Sequence, residues 1–224
     1  PPAIITRLVG SDMCIRDSTE VGSFIGLAAV TKSELTIKNA GVKHLSVICN
    51  MFDKIGIRTE ADGDDLIVPK TQKRKVKTDI PGGIPKIDDS PWPGFPADLT
   101  SIITVTATQC EGAVLIFEKM FESRLFWVDK LISMGAQIIL CDPHRVVVSG
   151  PSPLRGALVS SPDIRAGMAL LIAALGAHGT TEIMNIQQID RGYESIDQRL
   201  NALGGKIKRV PAVSYTHLRA HETR

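Results

Sequence analysis

One unit of sequence recurs three times, and a chain that repeats itself folds by stacking like units rather than by closing around one unrelated core. In the first copy an apolar helical stretch, Val21 to Val30, leads to a short strand, Ser33 to Ile37. A second helix follows and stops at Lys54-Ile55-Gly56. A strand, a turn at Asp62-Gly63-Asp64 and the strand Leu66-Ile67-Val68 close the unit. The second copy runs through the helix Asp98 to Ala107, the strand Ala113 to Phe117 and a helix end at Ser133-Met134-Gly135. Its hairpin is Ala136 to Leu140 with Val146 to Val148. The third has Asp163 to Leu175, Thr180 to Met184, a helix end at Ala202-Leu203-Gly204 and a strand expected at Lys206 to Val210, with nothing after it to complete the hairpin.

The spacing is regular. From Ser33 to Gly56 and from Gly112 to Gly135 is 23 residues, and from Gly179 to Gly204 it is 25. Glycine closing each helix fits a left-handed C-cap, where other residues meet a steric cost. The first helix of every unit is apolar nearly all round, so it is expected to be buried inside the domain. Strands alternating with helices give an α/β class with sheet and helix layers.

Composition narrows the function. With 26 basic and 24 acidic residues the net charge is +2, too small to argue for nucleic acid or a polyanionic membrane surface. No apolar run reaches the roughly 18 residues of a membrane span, and no secretory signal opens the chain. The cysteines at 14, 49, 110 and 141 form no CxxC pair and no Cys/His ligand set. They read as reduced thiols of a cytoplasmic protein, with no metal and no cofactor expected. Lys73 to Lys77 reads as a solvated connection between repeats, and His144 and His178 as surface loop residues. Gly82-Gly83 lies in no phosphate-loop context.

The two ends look foreign to the repeats. Met13-Cys14-Ile15-Arg16-Asp17-Ser18 can be written in codons whose reverse complement reads Ala212-Val213-Ser214-Tyr215-Thr216-His217. Both peptides resemble translated adapter DNA, and such segments are set aside from fold reasoning. Residues 1–18 and 212–224 are therefore expected to be non-native tails that extend no strand, around a domain at 19–211.

Acidic and arginine residues recur where the buried helices begin. Asp98 follows prolines at 81, 85, 91, 93 and 96 and opens an apolar helix, where a carboxylate serves as an N-cap. Asp163 and Arg165 open the third such helix after Ser160-Ser161-Pro162, with Ser161 or Asp163 available to cap it. An arginine beside a helix N-terminus opposes the dipole unless an anion sits between them, which fits a phosphate ligand. Arg191-Gly192 reads as a turn ahead of the last helix. Arg124 occupies the matching loop of the second repeat, so all three units are expected to present polar loops at one end.

Four motifs in order, Pro91-Trp92-Pro93-Gly94-Phe95-Pro96-Ala97-Asp98, Phe121-Glu122-Ser123-Arg124, Pro162-Asp163-Ile164-Arg165-Ala166 and Ile189-Asp190-Arg191-Gly192-Tyr193-Glu194, resemble the enolpyruvyl transferases. That resemblance covers the chain from about Glu20 to Val210 and implies an inside-out α/β barrel domain of three repeated βαββα-like units. The motifs look like the branch acting on UDP-N-acetylglucosamine. It implies transfer of an enolpyruvyl group from phosphoenolpyruvate to a sugar 3′-hydroxyl, in the first committed step of peptidoglycan synthesis. By resemblance Asp98 and Asp163 are the catalytic carboxylates, Asp98 meeting the attacking hydroxyl. Arg165 and Arg191 bind phosphoenolpyruvate, Arg124 joins them, and Met120 and Phe121 wall the uridine sugar. The proton donor on a mobile lid and the phosphoenolpyruvate-binding lysine belong to the other, N-terminal domain. The chain is thus expected to be the C-terminal half of such an enzyme, inactive alone. Other readings are the relative that uses shikimate 3-phosphate and a non-catalytic repeat module that binds a partner.

Overall fold

The computed structural model describes residues 3–6, 15–78 and 80–210. The first repeat runs β1 (Ala3–Thr6), α1 (Ile15–Thr31), β2 (Leu35–Lys38), α2 (Ser46–Lys54), β3 (Glu60–Asp62) and β4 (Asp65–Val68). The second runs β5 (Lys86–Asp88), a 3-10 turn at Ala97–Leu99, α3 (Thr100–Ala107), β6 (Gly112–Phe117), α4 (Val128–Ser133), β7 (Gln137–Asp142) and β8 (Arg145–Gly150). The third comprises β9 (Leu158–Ser160), α5 (Ile164–Gly176), β10 (Glu182–Met184), α6 (Gln187–Asp190) and α7 (Ile196–Ala202).

The sheets repeat with the sequence. Their orders are β1-β2-β4-β3 and β5-β6-β8-β7, with β9 beside β10 in the third. In each, the strand before the buried helix pairs in parallel with the strand after it, and in the first two a hairpin is added antiparallel. A helix crossing from one strand to a parallel neighbour covers the sheet face, so each unit is a βαβ crossover, with a hairpin at its edge in the first two. The glycines that end α2, α4 and α7 have φ of 82° (Gly56), 102° (Gly135) and 98° (Gly204), the left-handed caps that the spacing predicts.

Two expectations about the ends are corrected. Residues 1–18 were expected to extend no strand, yet Ala3–Thr6 pairs in register with Leu35–Lys38, and α1 begins at Ile15. The strand takes the place that β5 and β9 hold in their sheets, where it satisfies the free edge of β2. Lys206–Val210 forms no strand. Instead the Asn201 side chain bonds both the amide and the carbonyl of Ile207, each at 2.8 Å, and Arg209 pairs with Asp190 and Asp197. Residues 212–224 lie outside the described residues.

The centre is helical. Helices α1, α3 and α5 pack on one another, and every residue of α3 is buried. Close approach depends on missing side chains: a Cβ at Gly22 would sit 2.6 Å from Leu99 Cδ1, and one at Gly26 2.6 Å from Ile102 Cγ2. The buried Thr104 and Thr106 hydroxyls donate to the carbonyls of Thr100 and Ile102, which satisfies these two polar side chains in the core, while the Thr100 hydroxyl has no partner among the described residues. The sheets close over the helices with Leu35, Ile37, Val114, Ile116, Val146 and Val148 turned inward.

Candidate functional site

A cleft of about 180 Å³ opens beside the 3-10 turn that starts α3. It is lined by Ser18, Ser90 to Trp92, Gly94, Pro96 to Asp98, Met120 and Phe121. The segment from Ser90 to Phe95 is a closed loop, held by Ser90 N donating to Phe95 O at 3.0 Å and Gly94 N to Pro91 O at 2.7 Å. A side chain at Gly94 would collide with Ser90 Oγ, so the loop needs glycine there. Its opposite wall is anchored by Asp89. This carboxylate, 1% exposed, accepts from the amides of Lys119 at 2.5 Å and Met120 at 3.2 Å. The anchoring leaves Trp92, Met120 and Phe121 substantially exposed around one opening.

Asp98 does not cap α3. Its N-cap position is Leu99, preceded by the 3-10 turn in which Asp98 sits, and no side chain caps either element. The carboxylate turns instead to two guanidinium groups. Arg165 Nε donates to Oδ1, and Arg124 Nη1 lies 3.7 Å from the same oxygen. The anion beside Arg165 at the start of α5 is thus Asp98, where the dipole argument anticipated a phosphate. Arg124 also lies over the Phe121 ring, 3.2 Å from its centroid, which fixes the plane of its fork.

Behind Arg124 stands Glu118, the residue that follows β6. It is 2% exposed and its Oε1 is 3.7 Å from Arg124 Nη1, with neither atom making a hydrogen bond. Burial first, and then the Asp89 carboxylate, push this carboxyl up to about 7, while Arg124 and Arg165 pull the other way.

Asp163 is the N-cap of α5. Its Oδ1 accepts from Arg165 N at 2.7 Å and Ala166 N at 2.9 Å, and Ser161 Oγ donates to the Asp163 carbonyl. The cap holds the first turn, and with it the backbone that carries Arg165. Arg191 ends α6, exposed, with Nη1 bonded to Gln188 Oε1 at 3.2 Å. It is not bonded to the Asp98 cluster. Its neighbour Gly192 packs on Ile164, the first residue of α5, where a Cβ would overlap Ile164 Cγ2. So Asp98, Arg124 and Arg165 come together in one cluster, and Arg191 stands on the adjoining turn.

The sequence model of EPSP synthase (3-phosphoshikimate 1-carboxyvinyltransferase) matches residues 7–200. The chain belongs to this family. A protein of Bradyrhizobium diazoefficiens named UDP-N-acetylglucosamine 1-carboxyvinyltransferase is 64% identical over 195 residues, covering 87% of this chain and 45% of that protein. One of the same name from Borrelia garinii subsp. bavariensis is 60% identical over 194 residues, with the same coverage. The chain spans about half the length of the curated relatives it matches. The enolpyruvyl transferase NikO from Streptomyces tendae superposes with a TM-score of 0.75 at 24% identity, over 85% of this chain and 43% of that one. At that identity the likeness speaks for the fold, which is the inside-out α/β barrel of the enolpyruvyl transferases.

Within this family fold, two carboxylates escaped the reading of motifs. Glu118 and Asp89 sit just before the Phe121 motif and just before the Trp92 motif. The one signal for Glu118 was an ionisable residue directly after the apolar run Val114 to Phe117, where the strand has not yet left the core. Tyr193, inside a recognised motif, also has a packing role that spacing did not show. Its hydroxyl is 2.7 Å from Ser23 Oγ in α1, and burial drives its phenol up to about 12. Among the described residues no His/Cys/Asp/Glu group could hold a metal, and no helix is long and apolar enough to cross a membrane.

Proposed function

We propose that this chain is half of an enolpyruvyl transferase that joins phosphoenolpyruvate to UDP-N-acetylglucosamine. The observation that carries the reading is Asp98, held at the cleft wall between Arg165 and Arg124. An alcohol that adds to phosphoenolpyruvate must lose its proton while the vinyl carbon gains one, and the methyl so formed must give up a proton again as phosphate leaves, which restores the double bond. Asp98 accepts the hydroxyl proton, or the hydrogen bond that precedes its loss. A cationic pair supports the phosphate and carboxylate with forked donors. Arg165 and Arg191 form that pair, Arg191 following α6 beside Gly192, which packs on Ile164 at the start of α5. Asp163 fixes the turn from which Arg165 extends, as well as standing with Asp98 in the proposed catalytic set. Trp92, Met120 and Phe121 offer apolar surface to the nucleotide sugar, and Arg124 lies behind Phe121.

The ion pair between Asp98 and Arg165 has a consequence for this scheme. Without an anionic ligand each neutralises the other. A bound phosphate then competes for Arg165 and loosens Asp98 toward the acceptor hydroxyl, which couples filling of the phosphate site to freeing of the base.

The remaining machinery, a proton donor for the vinyl carbon and a lysine, comes from the other domain in this proposal. The purified chain is therefore expected to release no phosphate from phosphoenolpyruvate with UDP-N-acetylglucosamine present, and to do so once the complementary half is supplied. In the assembled enzyme Asp98→Asn lowers kcat more than it weakens phosphoenolpyruvate binding. Arg191→Ala weakens both, since an arginine on phosphate contacts ground and transition states alike. Phosphate-release assays decide it. Turnover by the chain alone, or a preference for shikimate 3-phosphate as acceptor, overturns the proposal.

A further inference from the structure

We propose that Glu118 is a positioning residue for the anion site: ionised, it draws Arg124 back from the cleft, and on taking up a proton it releases the guanidinium. The geometry is unusual for a buried pair. Glu118 Oε1 and Arg124 Nη1 are both buried and unbonded, and they face each other at 3.7 Å. That is close enough for strong attraction and too long for a hydrogen bond. Burial of unsatisfied ionic groups at such a distance is costly, so the pair is poised rather than locked.

The backbone of Glu118 cannot follow Arg124. Its amide donates to the His144 carbonyl at 2.8 Å, and its own carbonyl meets His144 Nδ1 at 2.9 Å, across the end of the β6–β8 ladder. Arg124 by contrast comes from a loop, and on its other side Asp98 Oδ1 lies at the same 3.7 Å. The guanidinium therefore stands midway between two carboxylates, one at the cleft wall and one in the core. The charged groups that reach the pair are Asp89 from the loop after β5, Asp98 from the 3-10 turn, and Arg165 and Asp163 from α5, while the His144 imidazole approaches from the β7–β8 turn. Ionised Glu118 adds a negative charge behind Arg124. Protonated, it leaves Arg124 to Asp98 and to whatever anion occupies the cleft. The raised carboxyl, about 7, puts this change near neutral pH.

The inference rests on reading the cleft as an anion site, but its test uses the chain by itself and reads no turnover, so it can fail while the proposed reaction stands, and the converse. Sulfate is the probe because its charge is constant across the range. The Arg124 guanidinium resonance and sulfate affinity are followed from pH 5.5 to 8.5. Sulfate is expected to bind roughly fivefold more tightly at the acid end, the scale of one nearby like charge partly screened by solvent and salt. Glu118→Gln should bind at every pH as the wild type does at pH 5.5, Glu118→Asp should restore a pH dependence, and His144→Gln should leave it in place. A pH-independent Arg124 resonance overturns the proposal, as does a dependence that persists in Glu118→Gln or vanishes in His144→Gln. Should the glutamine variant not fold, the wild-type Glu118 carboxyl carbon is titrated beside the Arg124 signal. A shared midpoint supports the inference and separate midpoints refute it.

Discussion

Two glycines in equivalent positions should not cost the same to replace. Gly56 and Gly204 both close the second helix of a repeat in the left-handed region, with φ of 82° and 98°. Alanine in that conformation costs about 1 kcal/mol through its Cβ. At Gly204 nothing else follows, because no atom lies within 4 Å of where the Cβ would be. At Gly56 the Cβ would sit 2.5 Å from the Lys75 carbonyl oxygen and closer still to its amide nitrogen. Backbone has to move. The bonds at risk are Arg74 N to Gly56 O at 3.2 Å and Lys77 N to Lys54 O at 2.8 Å, together with the bridge from Lys75 to Glu111. At about 1 kcal/mol net for each lost bond, Gly56→Ala should cost about 3 to 4 kcal/mol against about 1 for Gly204→Ala. Urea unfolding followed by circular dichroism, with m checked for constancy, measures both. Equal losses would show that the crossing of residues 74–77 over α2 places no steric demand on the glycine.

Glu118→Gln should flatten the pH dependence of stability. With a folded value of about 7 against the usual 4.5, the native state binds more protons between those limits, so wild-type stability falls as pH rises through that window. The glutamine variant should gain on the wild type by up to about 3 kcal/mol at pH 8 and little at pH 5; a gap that is the same at both pH values refutes it. Asp163→Ala should lose about 1 kcal/mol as its two amide bonds go, with Asp163→Asn keeping most of it, both read from urea midpoints. Among the cysteines of the described residues, alkylation at pH 8 with peptide mapping should modify exposed Cys141 first and Cys110 only on unfolding, since burial lifts that thiol to about 12.

Much of the fold was legible because the repeat writes each element three times. Helices α1, α3 and α5 announce themselves by being apolar on all faces, and their burial follows directly. The ends were less legible. The codon match at residues 13–18 bears on origin alone, whereas pairing responds only to the open edge of β2, and the strand at Ala3–Thr6 answers that edge. In the site, motif order led to Asp98, Arg124 and Arg165, but not to their arrangement. A helix-start carboxylate looks like a cap from sequence alone, and the partner that takes Asp98 away from that role is 67 residues distant. Glu118 was invisible for a related reason: the depth of a residue at a strand exit depends on the loops that fold over it.

The glycine-lined contact among α1, α3 and α5 also bears on how such a molecule tolerates change. The three helices form a hub whose spacing is set by absent side chains, and each repeat adds one loop at the hub's rim. Helix α1 offers Glu20, tied to Arg199 of α7; the second unit offers Asp98; the third offers Asp163 and Arg165. Mutations at the hub spread to all three units, while mutations at the rim reach at most the two units that an ion pair such as Asp98–Arg165 or Glu20–Arg199 joins. Drift is therefore penalised in the interior and permitted at the loops, one at a time. A lineage built on this plan can rewrite one loop and its ion-pair partner while the hub beneath keeps its spacing.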